Sequence, residues 1–192
     1  MNRCRDRSLP WLLVILAVTA GAYLPAVRGE LVYDDYRFVR DNPAIRELGN
    51  PLRFFTDPGT LCASEDRDIY RPLRTLSFAI DHALAGEATT FAHVENLLWH
   101  LATVAALYLL LGAGRWFDEG SRLLVTALYA VHPALTEAVA WISSRGDVMA
   151  GCFSLLACLV YVRRARAIAP ARARASRSCC SRRSPCSPRS SR

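Results

Sequence analysis

Four apolar runs, separated by links that carry nearly all the charge, organise the chain. Leu9 to Val27 is the first; at about 1.5 Å per residue it reaches roughly 28 Å, enough to cross a hydrocarbon core. Val94 to Leu111 is the second. Leu123 to Val131 begins a third, which Pro133 kinks or breaks before it resumes from Thr136, read as the cap of the new helix with Glu137 in its first turn. Asp147 to Val162 is the last. The pattern predicts an all-α fold: a polytopic membrane helix bundle of about four spans over residues 9–27, 94–111, 122–140 and 147–162. These lie in an N-terminal region covering residues 1–166.

Residues 28–92 form a long loop between the first two spans. Asn42-Pro43, Asn50-Pro51 and Asp57-Pro58-Gly59 mark turns, with short amphipathic pieces such as Leu52-Arg53-Phe54-Phe55 between them. Leu73, Leu76, Ile80 and Leu84 recur at helical spacing, which predicts an amphipathic helix lying on the membrane surface or packing on the spans.

Charge sets the expected orientation. Arg3, Arg5 and Arg7 precede the first span, Arg115 and Arg122 flank the link after the second, and Arg163, Arg164 and Arg166 follow the fourth. All agree with a multi-pass protein of the plasma or inner membrane whose N-terminus is cytoplasmic and whose loop 28–92 is extracytoplasmic. A cleaved signal peptide ending near Ala20-Gly21-Ala22 is the rival reading of the first run; it also places the loop outside. The formal net charge of +7 does not argue for a nucleic-acid partner, because the excess sits in a C-terminal tail. That tail, residues 167–192, is rich in Arg and Ser and lacks apolar periodicity from Pro170 onward, so it is expected to be disordered. Its abrupt composition reads as the aberrant end of a truncated gene in preference to a basic segment that binds lipid or nucleic acid. The seven cysteines show no paired zinc spacing, and Cys152 and Cys158 lie within an apolar run.

Ionisable groups at the edge of a span are costly and draw attention to themselves. His132, Glu137, Arg145 and Asp147 cluster where the third and fourth spans emerge, and Asp34-Asp35 follows the first span. A carboxylate there can accept a proton from a hydroxyl or hold a divalent metal, although an Asp-Asp pair is more often a solvated turn. Arg71, just before Pro72, can clamp a phosphate or meet lipid headgroups. Arg145 and Asp147 can equally pair with each other and cap their helix. Glu95, Asn96 and His100, in the first turns of the second span, read as polar groups that join helices.

The order Val32-Tyr33-Asp34-Asp35, Asp41-Asn42-Pro43, Tyr70-Arg71-Pro72-Leu73, Glu95-Asn96-Leu97-Leu98-Trp99-His100, Val131-His132-Pro133 with Thr136-Glu137, and Ser144-Arg145-Gly146-Asp147 resembles the N-terminal part of the transmembrane and tetratricopeptide-repeat O-mannosyltransferases, including their bacterial relatives. That family is similar to the C-type membrane glycosyltransferases. The resemblance covers roughly residues 9 to 163. It implies transfer of a sugar, mannose by expectation, from a polyprenyl-phosphate donor to a Ser or Thr hydroxyl of an acceptor protein at the outer face. It implies Asp35 as general base with Asp34 beside it. Arg145 and Arg71 would stabilise the departing phosphate, and His132 and Glu137 would shape the sugar pocket with Asp147 nearby. The resemblance implies a lipid-phosphate sugar donor and names no certain cofactor, with a divalent metal left open. No Trp-x-x-Leu-Gly-x-x-Tyr repeat follows. The chain therefore reads as an incomplete enzyme, inactive alone. The alternatives are a non-catalytic four-span assembly or interaction protein and, last, a transporter.

Overall fold

A computed structural model describes residues 9–61 and 70–181, with side chains to residue 168. Every regular element among these residues is helical. The principal helices are α1 (Leu9–Tyr23), α2 (Arg53–Thr56), α3 (Pro72–Ala85), α4 (Thr89–Gly114), α5 (Glu119–Ala130), α6 (Thr136–Ala140) and α7 (Arg145–Ser181). Among the described residues, three stretches are long and apolar enough to cross a membrane: Leu9–Arg28, Thr89–Gly114 and Ile142–Ile168. The third predicted span is broken as the sequence implied. Glu119–Ala130 and Pro133–Ala140 meet at a bend of 48°, because Pro133 cannot continue the α5 hydrogen-bond ladder.

The cap at that break is not Thr136. His132 does the capping: its Nδ1 accepts the Ala134 N–H at 3.2 Å, while α6 starts behind Leu135 with no side-chain cap. Helix α7 runs on to Ser181, into the segment expected to be disordered; residues 182–192 lie outside the described part.

Helix α4 is the central pillar, packed on α1, α5, α6 and α7. Tyr23, Leu97 and Val139 form an apolar knot between α1, α4 and α6. The loop before α3 builds its own core, in which Phe38, Ile45, Phe54, Phe78, Ala79, Ala92 and Ile142 come together. Its turn signals act as helix caps. Fully buried Asn42 accepts the Ala44 N–H at 3.0 Å and donates to the Thr60 carbonyl at 3.1 Å. Asp57 accepts the Gly59 N–H at 2.8 Å. The Tyr70 hydroxyl donates to the Phe55 carbonyl at 2.7 Å, tying the entry of α3 to α2.

Helix α3 faces opposite to the expectation of a stripe packed on the spans. Leu73, Ile80 and Leu84 are exposed, whereas Arg74, Thr75, Ser77, Phe78, Ala79 and Asp81 are buried. Leu76 of the stripe is half-buried against the loop core, and the polar side turns inward to meet a buried guanidinium.

Candidate functional site

Tyr33 has φ +47°, and this left-handed residue folds Val32 to Asp35 into a tight turn. The Asp35 Oδ2 accepts the Val32 N–H at 3.0 Å, closing the turn on itself. The Trp141 indole donates to the Val32 carbonyl at 3.2 Å. The turn after the first span is thereby strapped to the link between α6 and α7.

Asp35 is 1% exposed. Its Oδ1 accepts both the Ser143 N–H, at 2.8 Å, and the Ser143 hydroxyl, at 2.5 Å. Three donors on one buried carboxylate match the cost of taking that charge out of water. Asp34 is half-buried, and its side chain makes no hydrogen bond among the described residues. The Ser143 carbonyl accepts from buried Arg74 at 3.3 Å, and the Arg74 guanidinium lies 4.0 Å over the Phe38 ring. Ser143 is thus the joint between the acidic turn and the start of α3.

Arg145, two residues further, is fully buried. Its Nε donates to Asn96 Oδ1 at 2.7 Å and its Nη2 to the Ala92 carbonyl at 2.9 Å. Its Nη1 reaches Asp81 at 2.6 Å, Glu95 at 3.0 Å and the Ser77 hydroxyl at 3.2 Å. The Phe78 ring lies 4.6 Å beneath it. All three guanidinium nitrogens donate, in directions a compact ammonium could not cover. The Glu95 carboxylate also accepts the Trp99 indole at 3.1 Å. Burial, then the adjoining Glu95 carboxyl, push Asp81 up to about 7, and Arg145 opposes the shift.

Arg145 does not pair with Asp147. Asp147 is an exposed partner of Arg71, at 3.3 Å. Both line a cleft of about 300 Å³ together with Pro72, Gly146 and Phe153. Arg71 and Arg74 both run past Gly146, about as close as a Cβ there would allow. His132 and Glu137 stand exposed at the bend between α5 and α6.

The sequence-derived residues therefore fall into three places. Asp34 and Asp35 lie on the strapped turn, Arg71 and Asp147 on the cleft, and His132 and Glu137 on the outward bend. Arg145 stands apart from all three, inside the protein. The residues missed from the sequence are Ser143, Arg74, Ser77 and Asp81. The signal was there in part: a helix whose apolar stripe is interrupted by Arg74, Ser77 and Asp81 has a second, polar face. Asn96 and His100 do join helices. Asn96 donates to the Trp141 carbonyl at 3.0 Å, and His100 bonds the Ala130 carbonyl at 2.9 Å. No three His, Cys, Asp or Glu side chains gather at metal-holding distance among the described residues.

The chain is similar to Protein O-mannosyl-transferase TMTC1 of Mus musculus, 36% identical over 157 residues, which cover 77% of this chain and 16% of that protein. It is 36% identical to Protein O-mannosyl-transferase TMTC2 of Homo sapiens over 159 residues, 79% of this chain and 18% of the relative. Protein O-mannosyl-transferase F38B6.6 of Caenorhabditis elegans is 27% identical over 167 residues, 83% of this chain and 24% of the relative. The chain thus spans between a sixth and a quarter of the length of these relatives. No protein-family model and no solved structure matches it. Long apolar helices and this similarity together make the chain a membrane protein.

Proposed function

We propose that this chain is the N-terminal part of a membrane glycosyltransferase that moves mannose from a polyprenyl-phosphate donor to a Ser or Thr hydroxyl of an acceptor protein at the outer face. In this reading four spans carry it, with the bent α5–α6 pair as one of them, and its N-terminus is cytoplasmic. The observation that carries the proposal is the strapped turn: a pair of adjacent acids, of which Asp35 is held by Ser143, beside the arginine-bearing start of α3.

The acceptor oxygen attacks the anomeric carbon as the bond from that carbon to the phosphate oxygen breaks, with inversion. The hydroxyl proton goes to a carboxylate, and the bonding pair leaves with the lipid phosphate. Of the two acids, Asp34 has the open oxygens for that proton, and Asp35, whose oxygens are already occupied, is the positioning residue that aims it. Arg71 on the cleft is the cation suited to the departing phosphate. Arg145 holds α3, α4 and α7 together and acts on the reaction only by placing Ser143. Exposed His132 and Glu137 are left to meet the sugar. The 192 residues alone are expected to transfer nothing, since so few spans leave the lipid groove incomplete.

The test is a chimera in which residues 9–163 replace the matching stretch of the human TMTC2 relative, assayed for mannose transfer to a Ser/Thr peptide. The chimera should be active and Asp34→Asn should lower its rate at least about 100-fold, the usual contribution of a general base. An active Asp34→Asn chimera would remove the catalytic assignment. Sugar transfer by the isolated chain would refute its incompleteness.

A further inference from the structure

Helix α4 carries two polar side chains one turn apart, Asn96 and His100, and both end on carbonyls of the broken span or its exit. Residues four apart share a helix face, so the pair presents one polar edge to the chain around the break.

The break frees those carbonyls. In an unbroken helix the Tyr129 carbonyl would accept from residue 133 and the Ala130 carbonyl from residue 134. Pro133 has no N–H, and the Tyr129 carbonyl accepts the His132 N–H at 3.2 Å instead. The Ala134 N–H is taken by the His132 ring at 3.2 Å, which deprives the Ala130 carbonyl of its helical donor. The His100 Nε2 meets that carbonyl at 2.9 Å. A carbonyl only accepts, so Nε2 carries the proton. His100 is 2% exposed, and the Tyr23 ring stands edge-on to it at 5.1 Å.

At the far end of α6 the Asn96 amide donates to the Trp141 carbonyl at 3.0 Å and to the Val139 carbonyl at 3.4 Å. The amide is oriented from behind, because its Oδ1 accepts the Arg145 Nε–H at 2.7 Å. Ala130 lies before the bend of 48°, and Val139 and Trp141 lie after it. One face of α4 thus grips the chain on both sides of the break. Inside a membrane a carbonyl without a donor is costly, so a neighbouring helix that supplies the donor fixes where the broken span sits.

We propose that Asn96 and His100 are positioning residues: a two-point clamp that sets the α5–α6 bend and with it the place of His132 and Glu137. The clamp follows from hydrogen-bond geometry; its effect on transfer rests on the sugar-transfer reading, in which those two residues meet the sugar.

The test is distance measurement by electron paramagnetic resonance on the full chain in nanodiscs, with spin labels at exposed Glu119 and Thr136 and the native cysteines replaced by alanine. The wild type should give one narrow distance peak. His100→Leu keeps an apolar side chain beside Tyr23 but has no donor. It should raise the share of molecules outside that peak about fivefold, the ratio that one hydrogen bond of ordinary strength corresponds to. His100→Gln, whose amide nitrogen can stand where Nε2 stood, should restore the peak. Asn96→Asp keeps the acceptor for Arg145, loses the donor to Trp141 and should broaden the peak as well; it decides the matter if His100→Leu does not fold. A peak as narrow as wild type in either donor-less variant would mean that Pro133 alone sets the bend. A His100→Gln peak as broad as that of His100→Leu would mean that ring packing holds it. Either outcome overturns the clamp. In the chimera with the human TMTC2 relative, His100→Leu should raise the KM for the lipid-phosphate sugar more than it lowers kcat, and His100→Gln should reverse this. An unchanged KM there would remove the clamp's part in placing the sugar. A wild-type chimera that transfers no sugar would remove the sugar-transfer reading, and the distances would still decide the clamp.

Discussion

Ser143 donates twice to a single oxygen of Asp35, through its N–H and through its hydroxyl, across 108 residues of chain. The bond pair joins the first polar turn of the protein to the link before its last long helix. Ser143→Ala keeps the N–H bond and removes the hydroxyl bond. Hydrogen bonds to charged groups contribute about 1.5–3 kcal/mol, so the variant should be about 2 kcal/mol less stable. Thermal unfolding in detergent micelles checks this. A melting temperature equal to wild type would show that the hydroxyl contact contributes nothing.

Arg145 pairs with two carboxylates, buried Asp81 and half-buried Glu95. Arg145→Met should cost about 3–5 kcal/mol, because it leaves buried acids without a counter-charge. Adding Asp81→Asn and Glu95→Gln to Arg145→Met should recover much of the loss, since no buried charge then remains. Comparing the yields of monodisperse protein for the single and triple variants separates a charge effect from a packing effect; equal yields would contradict the charge account.

Asp81 keeps its proton in the folded protein up to about pH 7, whereas an ordinary aspartate gives it up near 3.8. The folded state therefore binds more protons than the unfolded state between these values. Stability from this group is highest below the lower value, falls as pH rises towards 7, and is level above it. The melting temperature should be higher at pH 5 than at pH 8, and Asp81→Asn should flatten the difference. A wild-type profile that rises over this range would contradict the assignment.

Tyr33 holds φ +47° while its side chain is 79% exposed. The ring contributes little packing there, and the backbone conformation carries the cost. Tyr33→Asn should be tolerated, since asparagine visits this region readily, while Tyr33→Val should destabilise by roughly 1 kcal/mol or more. Chemical denaturation of both variants distinguishes them, and equal midpoints would show that the turn does not depend on this residue's backbone preference.

Much of the architecture could be read directly from residue order. The apolar runs place the helices within a few residues of where they occur, although α4 starts at Thr89 and the last span window at Ile142, earlier than the apolar runs themselves. Pro133 announces the bend, and Asn42 and Asp57 announce their turns. These features depend on neighbours within four residues, and periodicity reports that range well. The candidate site was legible as a set of residue types but not as an arrangement. Asp34, Asp35, Arg71 and Asp147 stood out because charge at a span edge is costly. Nothing in their spacing paired Arg71 with Asp147 or Asp35 with Ser143.

By itself the sequence determined where helices form, which of them are apolar enough to enter a membrane, and where the chain must bend, since each follows from local backbone chemistry and transfer energies. Only the tertiary structure decided what each buried charge is for. The sequence placed Arg145 at a span edge without naming its partners, and packing brought Asp81 and Glu95, 64 and 50 residues away, against it. The sequence set Asp34 and Asp35 side by side, and only packing gave them different surroundings, Asp35 buried against Ser143 and Asp34 half-buried. A buried ion takes whatever partners packing brings within about 3 Å, and that choice is made by helices meeting in space rather than by residues adjacent in the chain.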